Sequence, residues 1–140
     1  MRVLRAMTGL LPCLVVGCQS GATADNQSLR SNASPTTAIA EIAGVAQTCW
    51  FKSQDPAFKG LRMSNEVNSY AGRPRVLLVK RTDPNGLPLL VIQAERSGNS
   101  TSGTFTNIQT FGPMLQTKNG KRIVDDVKRW STGNKACKVS

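Results

Sequence analysis

Residues 75–82, RVLLVKRT, and residues 87–95, LPLLVIQAE, are two apolar runs separated by Asp83-Pro84-Asn85-Gly86. Proline presets the backbone at the second place of a type I turn, and glycine accepts the positive φ that follows it. The spacing therefore predicts a β-hairpin, and a chain built around it has to form a sheet. Both runs are apolar on both faces. Val76 and Leu78 point one way and Leu77 and Val79 the other, while Leu89 and Val91 oppose Leu90 and Ile92. An antiparallel sheet with one wet face alternates apolar and polar residues. The second face of this one is expected to be covered, either by the 50–60 loop with its phenylalanines or by a protein partner or a second copy in a homodimer. Cover by the loop is the favoured expectation, because a bare apolar face invites aggregation.

Around the hairpin the pattern is α+β. Ser34-Pro35 is a helix start, an N-cap residue followed by proline at the first helical position. Ile39, Ile42, Ala46 and Cys49 then recur at spacings of three and four, which predicts a helix over about 35–50. Residues 51–60, FKSQDPAFKG, read as a loop in which Phe51 and Phe58 plug the core. Alternation in 61–70 (Leu61, Met63, Asn65, Val67) gives a weak strand. Residues 97–103, SGNSTSG, read as a flexible loop, and 104–111 as a further strand ended by Gly112-Pro113. Residues 119–133 form the last helix, with Ile123, Val127 and Trp130 on one side and Gly133 as its C′ residue. The expected order is α-β-β-β-β-α: a two-layer sandwich, with both helices packed on one face of an antiparallel sheet of about four strands. The chain of 140 residues, 39% hydrophobic, has room for one such domain.

The first eighteen residues read as an address. Arg2 and Arg5 precede the largely apolar stretch 6–17, AMTGLLPCLVVG, which is too short to span a bilayer and fits a signal-peptide h-region. Val15-Val16-Gly17-Cys18 follows. This segment resembles the lipobox of bacterial lipoproteins. The resemblance covers residues 1–18 only, and Val15 stands where leucine is commonest. It implies diacylglyceryl attachment to the Cys18 sulfur, cleavage before Cys18 and acylation of the new amino terminus. Two or three acyl chains hold a protein firmly to a membrane. Gln19, where aspartate would favour inner-membrane retention, implies the outer membrane, facing the periplasm. An ordinary secretory signal cut elsewhere would leave Cys18 as a thiol. Residues 19–34, QSGATADNQSLRSNAS, are small and polar, and too poor in apolar surface to offset the entropy of ordering. The expected organisation is a signal peptide over 1–17, a lipidated flexible tether over 18–34, and one domain over 35–140.

Cys13 leaves with the signal peptide, so two thiols remain besides Cys18: Cys49 and Cys137. In an oxidising compartment they are expected to form one disulfide, tying the ends of the two helices side by side. Two unpaired buried thiols are the alternative.

Little in the sequence points to catalysis. There is no histidine, which removes Ser-His-Asp and Cys-His sites and the commonest metal ligand. Metal or cofactor binding is not expected. Asp83 is explained by its turn, and Asp125 and Asp126 by basic neighbours on the helix surface (Lys121, Arg122, Lys128, Arg129). Asp55, Glu66 and Glu95 are the other carboxylates a glycosidase-like pair would need. Asn119-Gly120-Lys121-Arg122 lacks the other glycine of a P-loop. Cleavage removes Arg2 and Arg5 and leaves 16 basic and 8 acidic residues, a net +8. In the periplasm such a charge meets phosphates of lipids and acidic polymers, not nucleic acid. Candidate anion-binding residues are Arg73, Arg75, Lys80, Arg81, Lys121, Arg122, Lys128 and Arg129; the alternative is that they only solvate the surface. The expectation is a non-enzymatic binding or structural module, lipid-anchored in the cell envelope. The runner-up is an adaptor or inhibitor subunit of a larger envelope complex.

Overall fold

A computed structural model describes residues 27–68 and 72–138. The segment expected to be a signal peptide, Cys18 and the expected tether up to residue 26 lie outside the described residues. Five strands form one antiparallel sheet: β1 (Gln27–Ser31), β2 (Leu61–Glu66), β3 (Arg75–Lys80), β4 (Leu90–Asn99) and β5 (Gly103–Phe111). Their spatial order is β1-β5-β4-β3-β2. Two helices, α1 (Pro35–Ala46) and α2 (Gly120–Ser131), complete an α+β fold of two layers.

The helix signals act as expected. The Ser34 hydroxyl accepts from the Thr37 backbone N–H at 3.2 Å, and Pro35 opens α1. At the end of α2, the Gly133 N–H donates to Trp130 O and the Asn134 N–H to Arg129 O. That bonding pattern is a Schellman motif, with Gly133 at φ 87° in the left-handed region.

Three elements depart from expectation. First, the sheet has a fifth strand inside the segment expected to be tether. β1 pairs with β5, Gln27 opposite Thr110 and Leu29 opposite Ile108. Its backbone is paired along an edge, and Leu29 packs against the core. Second, α1 gives way at Gln47 to a π-helical turn, Gln47–Lys52. The wider turn lets the consecutive residues Cys49 and Trp50 both face inward, at 6% and 0% exposure. Third, β4 runs on to Asn99 and pairs Gly98 with Thr104, so most of the expected 97–103 loop is a tight hairpin.

The core lies between the sheet and the helices. Val76, Leu78, Leu90, Ile92, Ala94 and Ile108 project from the sheet; Ile39, Ile42, Ile123, Val127 and Trp130 meet them from the helices. Trp50 and Phe58 stack in this core, ring centroids 4.5 Å apart. The 50–60 segment therefore closes the helix-side core and does not cover the second sheet face. That face is mixed along its length. Leu77, Val91 and Phe111 stand in register across β3, β4 and β5. The next rows are polar: Arg75 is paired to Glu66, Gln93 donates to Gln109 at 2.9 Å, and Arg73 meets Glu95 at 3.0 Å. These rows suit a face turned to water, and the apolar residues of the same face are largely covered: Val79 and Val91 are 4% and 8% exposed, and Leu77 and Phe111 are half-buried.

Cys49 and Cys137 are disulfide-bonded, with a sequence separation of 88. The bridge joins the π-helical turn after α1 to the tail after α2.

Candidate functional site

The segment between α1 and β2 builds the most enclosed chemistry in the described residues. Gln54 adopts φ 57°, the one non-glycine with positive φ among the described residues, and its N–H closes a turn onto Phe51 O. Asp55 then caps a 3-10 turn, Pro56–Phe58, its Oδ1 accepting from the Ala57 N–H at 3.0 Å. Its second oxygen accepts from the Arg122 guanidinium. Burial pushes the Asp55 carboxyl up, but the hydrogen bonds from Arg122 and Ala57, with the Arg122 charge, outweigh it and hold it below the ordinary carboxylate range. The same contact raises Arg122.

Behind this pair lies Asp126, 1% exposed. Its Oδ2 accepts from Trp50 Nε1 at 2.9 Å, its Oδ1 accepts from Arg129, and Arg122 Nε stands 3.8 Å away. Arg129 Nε and Trp130 Nε1 in turn donate to Ala136 O, which fixes the tail that carries Cys137. Asp126 is thus buried and not on the helix surface as expected. It sits three residues after Ile123 and four before Trp130, within the apolar stripe, and that spacing was the available signal.

In front of Asp55 opens a cavity of about 370 Å³, lined by Trp50, Phe51, Gln54, Phe58, Lys59 and Arg81 among others. Arg81 is positioned twice: its backbone N–H donates to Gly60 O and its Nε to Leu61 O at 2.8 Å. With Asp55 saturated by Arg122, the rim is dominated by the two cations, Lys59 and Arg81.

The eight basic residues singled out in the sequence do not converge on one patch. Arg73 and Arg75 pair with Glu95 and Glu66 on β4 and β2. Lys121 pairs with Asp125 at 2.8 Å, which lowers the Asp125 carboxyl. Arg122 and Arg129 serve the buried network. Lys128 lies exposed on α2, on the side of the Lys121–Asp125 pair. Lys80 and Arg81 remain together at the end of β3. Among the described residues neither they nor Lys59 form an ion pair with a carboxylate. Lys59 went unremarked because nothing local distinguishes it; the pairing of Leu61 with Lys80 is what brings it beside Arg81. The carboxylates of a glycosidase-like pair are likewise engaged: Asp55, Glu66 and Glu95 each hold an arginine. No group of three metal-ligating side chains occurs among the described residues.

The Asp55 contact makes a pH prediction. Its folded pKa is lowered, so its stabilisation is complete above the unfolded value of about 3.9 and is lost as pH falls through the folded value. Between those values the unfolded chain binds the proton first, so stability falls with pH. Asp55→Asn is expected to be less stable at neutral pH and to lose less on acidification below about pH 4, as urea midpoints across pH would show.

Fold and site together define a small disulfide-closed α+β domain with a cation-rimmed cavity. A scan against protein-family models finds no match, and neither do searches of curated proteins and of solved structures.

Proposed function

We propose that this protein is a lipid-anchored module of the bacterial cell envelope. It is held by acyl chains on Cys18, the cysteine that ends the lipobox-like segment 15–18, and it binds anionic envelope components without catalysis. The outer membrane, on its periplasmic side, is the location that Gln19 favours. The observation that carries the binding role is the rim formed by Lys59 and Arg81, two cations with no carboxylate partner among the described residues, beside a cavity in which Asp55 is already held by Arg122. Engagement of the remaining strand carboxylates with arginines supports binding over hydrolysis.

Two measurements test this reading. Palmitate labelling of cells should mark the wild-type protein and leave Cys18→Ser unmarked; equal label in both refutes the anchor. The intact lipidated protein, captured from detergent-solubilised envelopes, should carry phosphate-bearing glycan or lipid, and Lys59→Gln with Arg81→Gln should carry markedly less. A second reading, an adaptor or inhibitor subunit, is favoured by the apolar row Leu77, Val91 and Phe111 on the second sheet face. Stoichiometric co-purified protein, lost on Leu77→Glu, would support that reading instead. Turnover of chromogenic glycosides or esters would restore an enzymatic one.

A further inference from the structure

The strand register fixes the end of the sheet at which β1 begins. Gln27 lies opposite Thr110, Phe111 opposite Val91, Leu78 opposite Leu90, and Leu61 opposite Lys80. All of these are at the same end. Gln27, the first residue of β1, therefore lies at the end of the sheet where the 81–89 connection begins and ends. In that connection Leu87 is 91% exposed, the one large hydrophobic residue so exposed among those described. Lys59, Arg62, Lys80 and Arg81 stand at this end, with two acids near them: Asp83, and Asp55, which is held by Arg122. The apolar row of the second face lies next to it, whereas the polar rows lie further along the sheet.

From these observations we infer that this end of the domain docks on the surface of the bilayer that holds the anchor, with Leu87 inserted among the lipids and the surrounding cations against anionic phospholipid headgroups. The inference rests on the anchoring of Cys18 proposed above. Length decides the orientation. Gln27 is nine residues on from Cys18, a span of at most about 30 Å. β4 alone has ten residues, roughly 33 Å of strand. To present the opposite end to the membrane, the connecting chain would have to run back along the sheet fully stretched. With the near end down it needs only a fraction of its reach. Each Lys or Arg held at an anionic surface strengthens association about fivefold, and an exposed leucine flanked by cations suits the boundary between headgroups and acyl chains.

The test uses the full chain expressed in cells and purified from their envelopes, with a single added thiol, Leu87→Cys in one variant and Ser100→Cys, in the turn at the opposite end, in another. Each is labelled with an environment-sensitive fluorophore and reconstituted in phosphatidylethanolamine–phosphatidylglycerol vesicles containing a nitroxide lipid. The label at position 87 should shift to the blue and be quenched about twofold or more, and the label at position 100 should behave as in water. Replacing phosphatidylglycerol by a neutral lipid should weaken the quenching. A water-like label at position 87 on protein that floats with the vesicles overturns the docking inference while leaving the anchor intact. Protein that fails to float, with no acyl chain on Cys18 by mass spectrometry, overturns the anchor and the inference with it.

Discussion

Replacing Cys49 and Cys137 together by serine is expected to remove about 4–5 kcal/mol of stability, the chain-entropy value for a loop of this length. The bridge closes 88 residues and leaves the unfolded chain far fewer conformations. It also holds a tail that has little else: Ala136 O accepts from Arg129 and Trp130, and the residues around it are exposed. For a domain of about 100 residues the loss corresponds to a fall in Tm of roughly 20–30 °C. Thermal melts of the double variant, and of the wild type with and without reductant, should agree. A fall of only a few degrees would mean that the tail's hydrogen bonds close the domain without the bridge.

The second large effect is expected at Asp126. Asp126→Ala should cost about 3–5 kcal/mol, as removal of one partner from a buried charge pair does. It leaves the Trp50 indole N–H without its acceptor and the Arg129 guanidinium without its buried counter-charge. Asp126→Asn should cost less, since the amide oxygen still accepts from Trp50. Urea unfolding followed by tryptophan emission reads both variants. An alanine variant within about 1 kcal/mol of wild type would show that water replaces the carboxylate.

The expectations that held were those with a local cause. Ser34-Pro35 starts α1 because a hydroxyl and a preset φ act within four residues, and Gly133 ends α2 because it can take a positive φ. The hairpin strands formed where apolar residues crowd both faces, although the return strand, expected from residue 87, begins at Leu90 and leaves 87–89 in the connection. The expectations that failed had partners distant in sequence. β1 is a polar run with one leucine, and it became a strand because β5 offered an unpaired edge. Asp55 and Arg122 are 67 residues apart, and no spacing rule connects them. The 50–60 loop was expected over the second sheet face, yet stacking of Phe58 on Trp50 drew it into the helix-side core.

The sequence by itself determined the α+β class, the two helices and the central hairpin, and it pointed to Cys49 and Cys137 as the bridge, since periodicity, caps, turns and counting are properties of neighbouring residues. Only the tertiary structure decided the fifth strand, the burial of Asp126 and the gathering of Lys59, Lys80, Arg81 and Leu87 at the sheet end where Gln27 enters. Strand register sets that gathering, and register is fixed by side chains packing across the whole sheet, which no single segment carries.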